Sequence, residues 1–121
     1  MNAHRVLVVE DDETIRETLC EFLEDQGYEV TGARHGQDAL DKLADLTDPP
    51  CLIVLDLMMP VMDGAAFRQH QLRDPALSGI PVVVISAYRD IKERVNGLGA
   101  TAHLQKPLKL VDLLGLVEQH C

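Results

Sequence analysis

The chain is predicted to fold as a doubly wound α/β domain, with a five-stranded parallel sheet covered by helices on both faces. Short apolar runs alternate with longer segments of helical period, giving five strand–helix units in succession. Three of the runs are continuous and rich in Val and Ile, as strands buried on both faces must be. Gly and Pro signals separate the units.

The expected strands are Val6-Leu7-Val8-Val9, a weaker Glu29-Val30-Thr31-Gly32-Ala33, Leu52-Ile53-Val54-Leu55, Val82-Val83-Val84-Ile85 and Ala102-His103-Leu104-Gln105. Between the first two, Ile15, Leu19, Phe22 and Leu23 recur at helical spacing, and Gly27 is the stop. Ala39, Leu40, Leu43 and Leu46 form the second stripe, ended by Asp48-Pro49-Pro50. A shorter helix is expected from about Gly64 to Arg73, closed by Asp74-Pro75. Ile91, Val95 and Leu98 make a fourth stripe that ends at Gly99. The last helix follows Pro107 and is expected to bury Leu110, Leu113, Leu114 and Val117. Val111 and Leu116 fall off that stripe, either as scattered exposed side chains or as a dimer or partner surface.

The 121 residues fit a single domain, 1–121, with its core at about 5–117. Apolar residues make up 46% of the chain, enough for a core and more than a disordered tail carries. No stretch approaches the roughly 20 apolar residues of a membrane span, and Met1-Asn2-Ala3-His4-Arg5 lacks the layout of a secretory signal. A soluble cytoplasmic protein is the expectation. A formal charge of −9, without a cluster of Lys and Arg, disfavours direct binding of nucleic acid. Cys20, Cys51 and Cys121 form no CxxC pair, so neither zinc nor a redox motif is expected. Cys20 and Cys51 read as core residues of a reduced compartment, and Cys121 as an exposed free thiol.

In open parallel sheets the functional site lies beyond the carboxyl ends of the strands, at the switch point of strand order. The first strand ends in Glu10-Asp11-Asp12, the third in Asp56, the fourth in Ser86, and the fifth in Lys106-Pro107. Clustered carboxylates repel one another unless a cation neutralises them, and hard oxygen ligands at an edge cleft suit Mg²⁺. Asp56 is suited to act as a nucleophile toward phosphorus. Phosphoryl transfer asks mainly for positioning and charge neutralisation, which Mg²⁺, the Lys106 ammonium and the Ser86 hydroxyl would supply. Singly, an Asp after a strand is a helix cap, a Lys before Pro a solvated residue, and a Ser a loop residue. At four strand ends together, they point to one chemistry.

From about Arg5 to Val117 these residues resemble the receiver domains of two-component response regulators. Val-Val-Glu-Asp at 8–11 resembles the acidic pair closing the first strand. The stretch Asp56-Leu-Met-Met-Pro60-Val-Met-Asp-Gly64 resembles the phosphoacceptor motif, Ser86-Ala87 the switch hydroxyl with its small neighbour, and Lys106-Pro107 the phosphate-binding lysine. The resemblance implies a flavodoxin-like sandwich with strand order 2-1-3-4-5. It implies Asp11 and Asp56 as Mg²⁺ ligands, the Met58 carbonyl as a third, and Glu10 acting through water. Asp12 would open the first helix instead. Gly64 would permit a tight helix entry, and Lys106–Pro107 would be cis. A histidine kinase or histidine phosphotransfer protein would donate the phosphoryl group to Asp56. Ser86 and the fifth strand would then reshape the face made by the fourth helix, fifth strand and fifth helix, where a downstream protein binds. The expectation is a chain that acts by protein–protein contact rather than through an output domain after the fifth helix, as a stand-alone regulator or as an excised piece of a longer protein.

Three features depart from the family pattern. His103 occupies the switch position that is Tyr or Phe in the family, and reads either as a polar, pH-sensitive switch or as a surface imidazole. The 20 positions from Ser86 to Lys106 are slightly fewer than usual, which implies a shortened loop or fourth helix. Tyr88 should lie at the site entrance, shielding the phosphoryl group from water or packing the loop. A receiver scaffold that signals without phosphate is the alternative on the same fold. An aspartate-nucleophile phosphatase is disfavoured because Met58 stands where its second Asp belongs, and a flavin carrier because the first loop is acidic.

Overall fold

The computed structural model describes residues 4–89 and 91–121. The segment 1–3, part of the stretch read for a leader, lies outside the described residues. Five strands, β1 (Arg5–Val9), β2 (Glu29–Ala33), β3 (Leu52–Asp56), β4 (Val82–Ser86) and β5 (Ala102–Gln105), alternate with five helices: α1 (Glu13–Asp25), α2 (Gly36–Asp45), α3 (Gly64–Arg73), α4 (Ile91–Arg94) and α5 (Leu110–His120). All strand pairs are parallel, and the sheet order is β2-β1-β3-β4-β5. Both the doubly wound architecture and the expected strand order are therefore present. Strand order reverses between β1 and β3, which sets the switch point at their carboxyl ends.

The period of two along each strand divides the core in two. Leu7, Val9, Ile53, Leu55, Val82 and Val84 face α2, α3 and α4 through Ala39, Leu43, Phe67 and Ile91. Val6, Val8, Leu52, Val54, Val83 and Ile85 face α1 and α5 through Leu19, Leu23, Leu113 and Val117. β1, β3 and β4 are buried almost throughout because helices cover both of their faces. Each such side chain contributes about 1.5–3 kcal/mol on burial.

The helix starts are chemically specified. Asp12 caps α1 by accepting from the Ile15 amide (2.9 Å), His35 caps α2 through Nδ1 (3.1 Å), and Asp63 caps α3 through the Ala66 amide (2.8 Å). α4 is shorter than its apolar stripe predicts and ends at Arg94, although Val95 still packs on the core. Gly97 (φ 88°) and Gly99 (φ 66°) take the left-handed region and stop helix propagation. Arg68 of α3 holds the uncoiled stretch instead: Nε donates to the Leu98 carbonyl (2.8 Å), Nη2 to Gly99 (3.1 Å) and Nη1 to Gln71 Oε1 (2.7 Å). Gln71 passes the link on to the carbonyls of Leu77 and Ile80.

Two expectations need correction. Leu113 and Val117 are fully buried in α5, Leu110 and Leu114 only partly, and Leu116 packs against the second core rather than standing free. Of the two residues that fall off the stripe, only Val111 is exposed, at 70%. Cys51 and Cys121 are neither a core thiol nor a free terminal one: they form a disulfide, with Cα atoms 5.4 Å apart across a separation of 70 residues. Winding α5 back over the sheet brings its C-terminal cap to the start of β3, a proximity that spacing in the chain does not reveal. Cys20 is the free cysteine.

The loop from β3 to α3 carries strain. Val61, 82% exposed, has φ 66°, and the Met62 amide donates to the Pro60 carbonyl (2.7 Å) around it. A β-branched residue in this region costs roughly 1–2 kcal/mol, while glycine there costs about 0.5–1 kcal/mol of chain entropy. Val61→Gly is expected to raise stability by up to about 1 kcal/mol, read as a higher urea midpoint at constant m.

Candidate phosphoryl and metal site

Glu10 follows β1, Asp56 ends β3, Ser86 ends β4 and Lys106 follows β5, so parallel pairing delivers all four to one edge of the sheet. The register places Asp56 beside Ile85 and Ser86 beside Gln105. The Lys106 amide donates to the Ser86 carbonyl (2.7 Å) and the Leu57 amide to Ile85 (3.2 Å), which extends the ladder past the strands into the site.

Lys106 Nζ lies 2.5 Å from Glu10 Oε1 and 3.3 Å from Asp56 Oδ2. Glu10 and Ser86 are fully buried and Asp56 nearly so. Burial pushes the Glu10 carboxyl up to about 7, with Asp56 adding to the rise and Lys106 opposing it. Asp56 is likewise raised by burial, against hydrogen bonds from Glu10 and Met58 and the charge of Lys106. For Lys106, burial works against the charge, but Glu10 and Asp56 outweigh it and hold the ammonium above its ordinary range. Two carboxyls sharing one ammonium resist full ionisation together and lack one positive charge.

Carboxylate oxygens of Glu10, Asp11 and Asp56 lie within 4.8 Å of one another. Glu10 Oε1 is buried without a hydrogen bond of good geometry, its closeness to Lys106 being an ion pair without donor alignment. A cluster of three carboxylates served by one ammonium is an all-oxygen, charge-deficient site that fits a hard divalent cation. Asp11 is exposed and opens onto a cavity of about 450 Å³ that is also lined by Leu57, Met58, Met59, Pro60, Asp63 and Tyr88.

Of the remaining expected residues, Met58, Ser86 and Tyr88 border this centre, and His103 and Asp12 do not. The Met58 amide donates to Asp56 Oδ1 (3.3 Å), and its side chain is half exposed at the cavity. Ser86 Oγ accepts from the Tyr88 amide (3.1 Å), so its hydroxyl proton stays available. Tyr88 lines the cavity, with the Arg94 guanidinium carbon 3.4 Å from its ring centroid. The Lys106–Pro107 bond is cis. Ala87 lies on the other flank, in a cavity of about 550 Å³ with Thr14, Ile15, Thr18, Lys106 and Pro107. His103 pairs with Val84 on the edge strand β5 and is exposed, because four-residue α4 does not cover it. Asp12 is outside the centre, occupied in capping α1.

Three contributors escaped the sequence reading. Arg16 Nη1 donates to the Glu10 carbonyl (2.9 Å), which fixes the turn that carries the acidic pair. Asp63 combines capping with a place in the cavity wall, a role that Asp before Gly at a helix start could have suggested. Arg94 carried no signal, because its stacking on Tyr88 depends on where α4 ends.

Residues 6–118 match the response regulator receiver domain. The chain belongs to that family. The receiver is 43% identical over 112 residues to the response regulator MprA of Mycolicibacterium vanbaalenii, covering 91% of this chain and 47% of that protein. It thus spans about half the length of the curated relatives it matches. Its fold is similar to the signal receiver domain of a signal transduction histidine kinase from Syntrophus aciditrophicus (TM-score 0.86, 34% identity, 97% and 89% of the two chains). It is also similar to the chemotaxis response regulator CheY4 of Vibrio cholerae (TM-score 0.87, 30% identity, 99% and 100%). The receiver is a signalling module of two-component systems, and no helix among its described residues is long and apolar enough to cross a membrane.

Gly64 keeps Asp56 in place. Its amide donates to the Leu57 carbonyl (3.1 Å), and a Cβ there would meet the Asp56 carbonyl oxygen at 2.5 Å and Leu57 Cα at 2.9 Å. Both atoms are backbone and cannot yield locally. Gly64→Ala is expected to destabilise the fold by roughly 1–3 kcal/mol in urea denaturation.

Proposed function

We propose that this receiver accepts a phosphoryl group on Asp56 from the phosphohistidine of a histidine kinase or phosphotransfer protein, in a Mg²⁺-dependent reaction. The supporting observation is Lys106 Nζ bridging Glu10 and Asp56, which with Asp11 form a cluster of three carboxylates. One Asp56 oxygen attacks phosphorus, the histidine nitrogen–phosphorus bond breaks, and an aspartyl phosphate forms. Lys106 neutralises charge on the transferring oxygens, and the free Ser86 proton is available to a further one. Asp11, Asp56 and the Met58 carbonyl would hold Mg²⁺, with Glu10 reaching it through water. When bound, that ion supplies the missing positive charge for the equatorial oxygens.

On this reading, residues 1–121 form one receiver domain in the cytoplasm. Ser86 moving toward the phosphate alters the α4–β5–α5 face, which then binds a downstream protein, with homodimerisation through exposed Val111 as a further use. His103 takes the place of the switch aromatic, and its exposure favours a surface imidazole over a buried switch. Tyr88, braced by Arg94 at the cavity mouth, shields the phosphoryl group from water. Hydrolysis of the aspartyl phosphate resets the module.

Incubation with Mg²⁺ and acetyl phosphate is expected to add one phosphoryl mass, which is lost in Asp56→Asn. A chain of wild-type sequence that gains no mass would favour the phosphate-independent scaffold. Turnover of a phosphate ester beyond one equivalent would favour a phosphatase. A cation that binds only the folded chain at 100 times its Kd stabilises it by about 2.7 kcal/mol. Millimolar Mg²⁺ should therefore raise the melting temperature, and Asp11→Ala should abolish that rise.

A further inference from the structure

β3 and α5 are matched in length, about 17 Å each for five strand residues and 11 helical ones. Their site ends meet where Asp56, at the end of β3, contacts Lys106, which precedes α5. Their opposite ends meet in the Cys51–Cys121 bond. Cys51 immediately precedes β3, and its amide donates to the Arg5 carbonyl (2.8 Å). Cys121 caps α5, its amide donating to Val117 (2.8 Å). The same two elements are thus joined by an ion pair at one end and a covalent bridge at the other.

We propose that Cys51 and Cys121 form a thiol–disulfide exchange site, a reversible latch that fastens the end of α5 to the sheet when oxidised and releases it when reduced. Both residues are half-buried at the margin of the second core layer rather than sealed inside it. Cys51 Sγ lies 3.1 Å from the Arg5 carbonyl oxygen, an acceptor for the thiol proton of the reduced form. Neither redox state therefore leaves this sulfur without a contact. Cys20 does not compete: it lies on α1 against Gly32, and burial holds its thiol above the usual range. The third cysteine neither scrambles the pairing nor resolves it.

The reactant is a low-molecular-weight disulfide of the glutathione class. The Cys121 thiolate attacks one of its sulfurs, forming a mixed disulfide and expelling one thiolate. The Cys51 thiolate then attacks the Cys121 sulfur, closes the bridge and expels the second. The two electrons and two protons of the protein thiols leave as two molecules of reduced glutathione. Excess reduced glutathione drives the sequence backward. In a reducing compartment a disulfide of this kind is a regulated state rather than a permanent staple.

The test equilibrates the chain in mixtures of reduced and oxidised glutathione, quenches exchange with acid, and then labels free thiols with iodoacetamide under denaturing conditions, so that Cys20 is always counted, for intact mass. Oxidised protein is expected to take one label and reduced protein three, with a smooth transition between them. The oxidised form should melt on the order of 10 °C higher. On reduction the amides of the last turn of α5 should exchange with deuterium about tenfold faster. Cys51→Ser, whose hydroxyl keeps the contact with Arg5, and Cys121→Ser should both lose the redox dependence while remaining folded. Three labels at every ratio would overturn the proposal. So would a bond that stays closed under excess reduced glutathione, or one that opens without changing exchange in α5.

Discussion

Glu10 and Asp56 are taken out of water together, and the ammonium of Lys106 is what makes that burial tolerable. An isolated carboxylate at either position would neutralise itself by taking up a proton. One lysine between two acids relieves part of the cost and leaves the centre short of positive charge. The backbone must then hold three loops in a fixed relation. The turn after β1 is tied by Arg16, the β3–α3 loop by the close approach of Gly64 to Asp56, and the loop after β5 by the hydrogen bond that the Lys106 amide donates to the Ser86 carbonyl. A sheet edge with these restraints is a pre-organised receptor for a cation and for a group with negative oxygens.

The scaffold is rigid because the sheet separates two dry layers, with strand side chains alternating between them. The loops on the site side are less relaxed. Val61 sits in a conformation that suits glycine, and the carbonyl of Met62, which follows it, accepts a hydrogen bond from the Gly36 amide (2.9 Å), fastening the loop to the start of α2. Strain of this kind persists only where the surroundings over-determine it. It borders the cavity lined by Met58, Met59 and Pro60.

The side of the sheet around α4 is built differently. Two left-handed glycines cut the helix to one turn, and Arg68 replaces the missing helical hydrogen bonds with a fork onto Leu98 and Gly99. The edge strand β5 is consequently covered on one face and open on the other, which exposes His103 and Gln105. A polar residue at position 103 is compatible with such an open edge; a large aromatic there would lie in water.

The sequence by itself determined the number of elements, their types and the strand ends that carry Glu10, Asp56, Ser86 and Lys106. Hydrophobic period and turn chemistry are local properties, written into contiguous residues. Asp12 as the cap of α1 belongs to the same class, and Asp63 as the cap of α3 is equally local although it escaped the sequence reading. Tertiary structure alone decided where α4 stops, that Arg68 holds the stretch beyond it, that Leu116 is packed rather than free, and that Cys51 meets Cys121. Each of these depends on distances between segments far apart in the chain. Winding four crossovers and a final helix around one sheet creates those distances, and no pattern of neighbouring residues contains them.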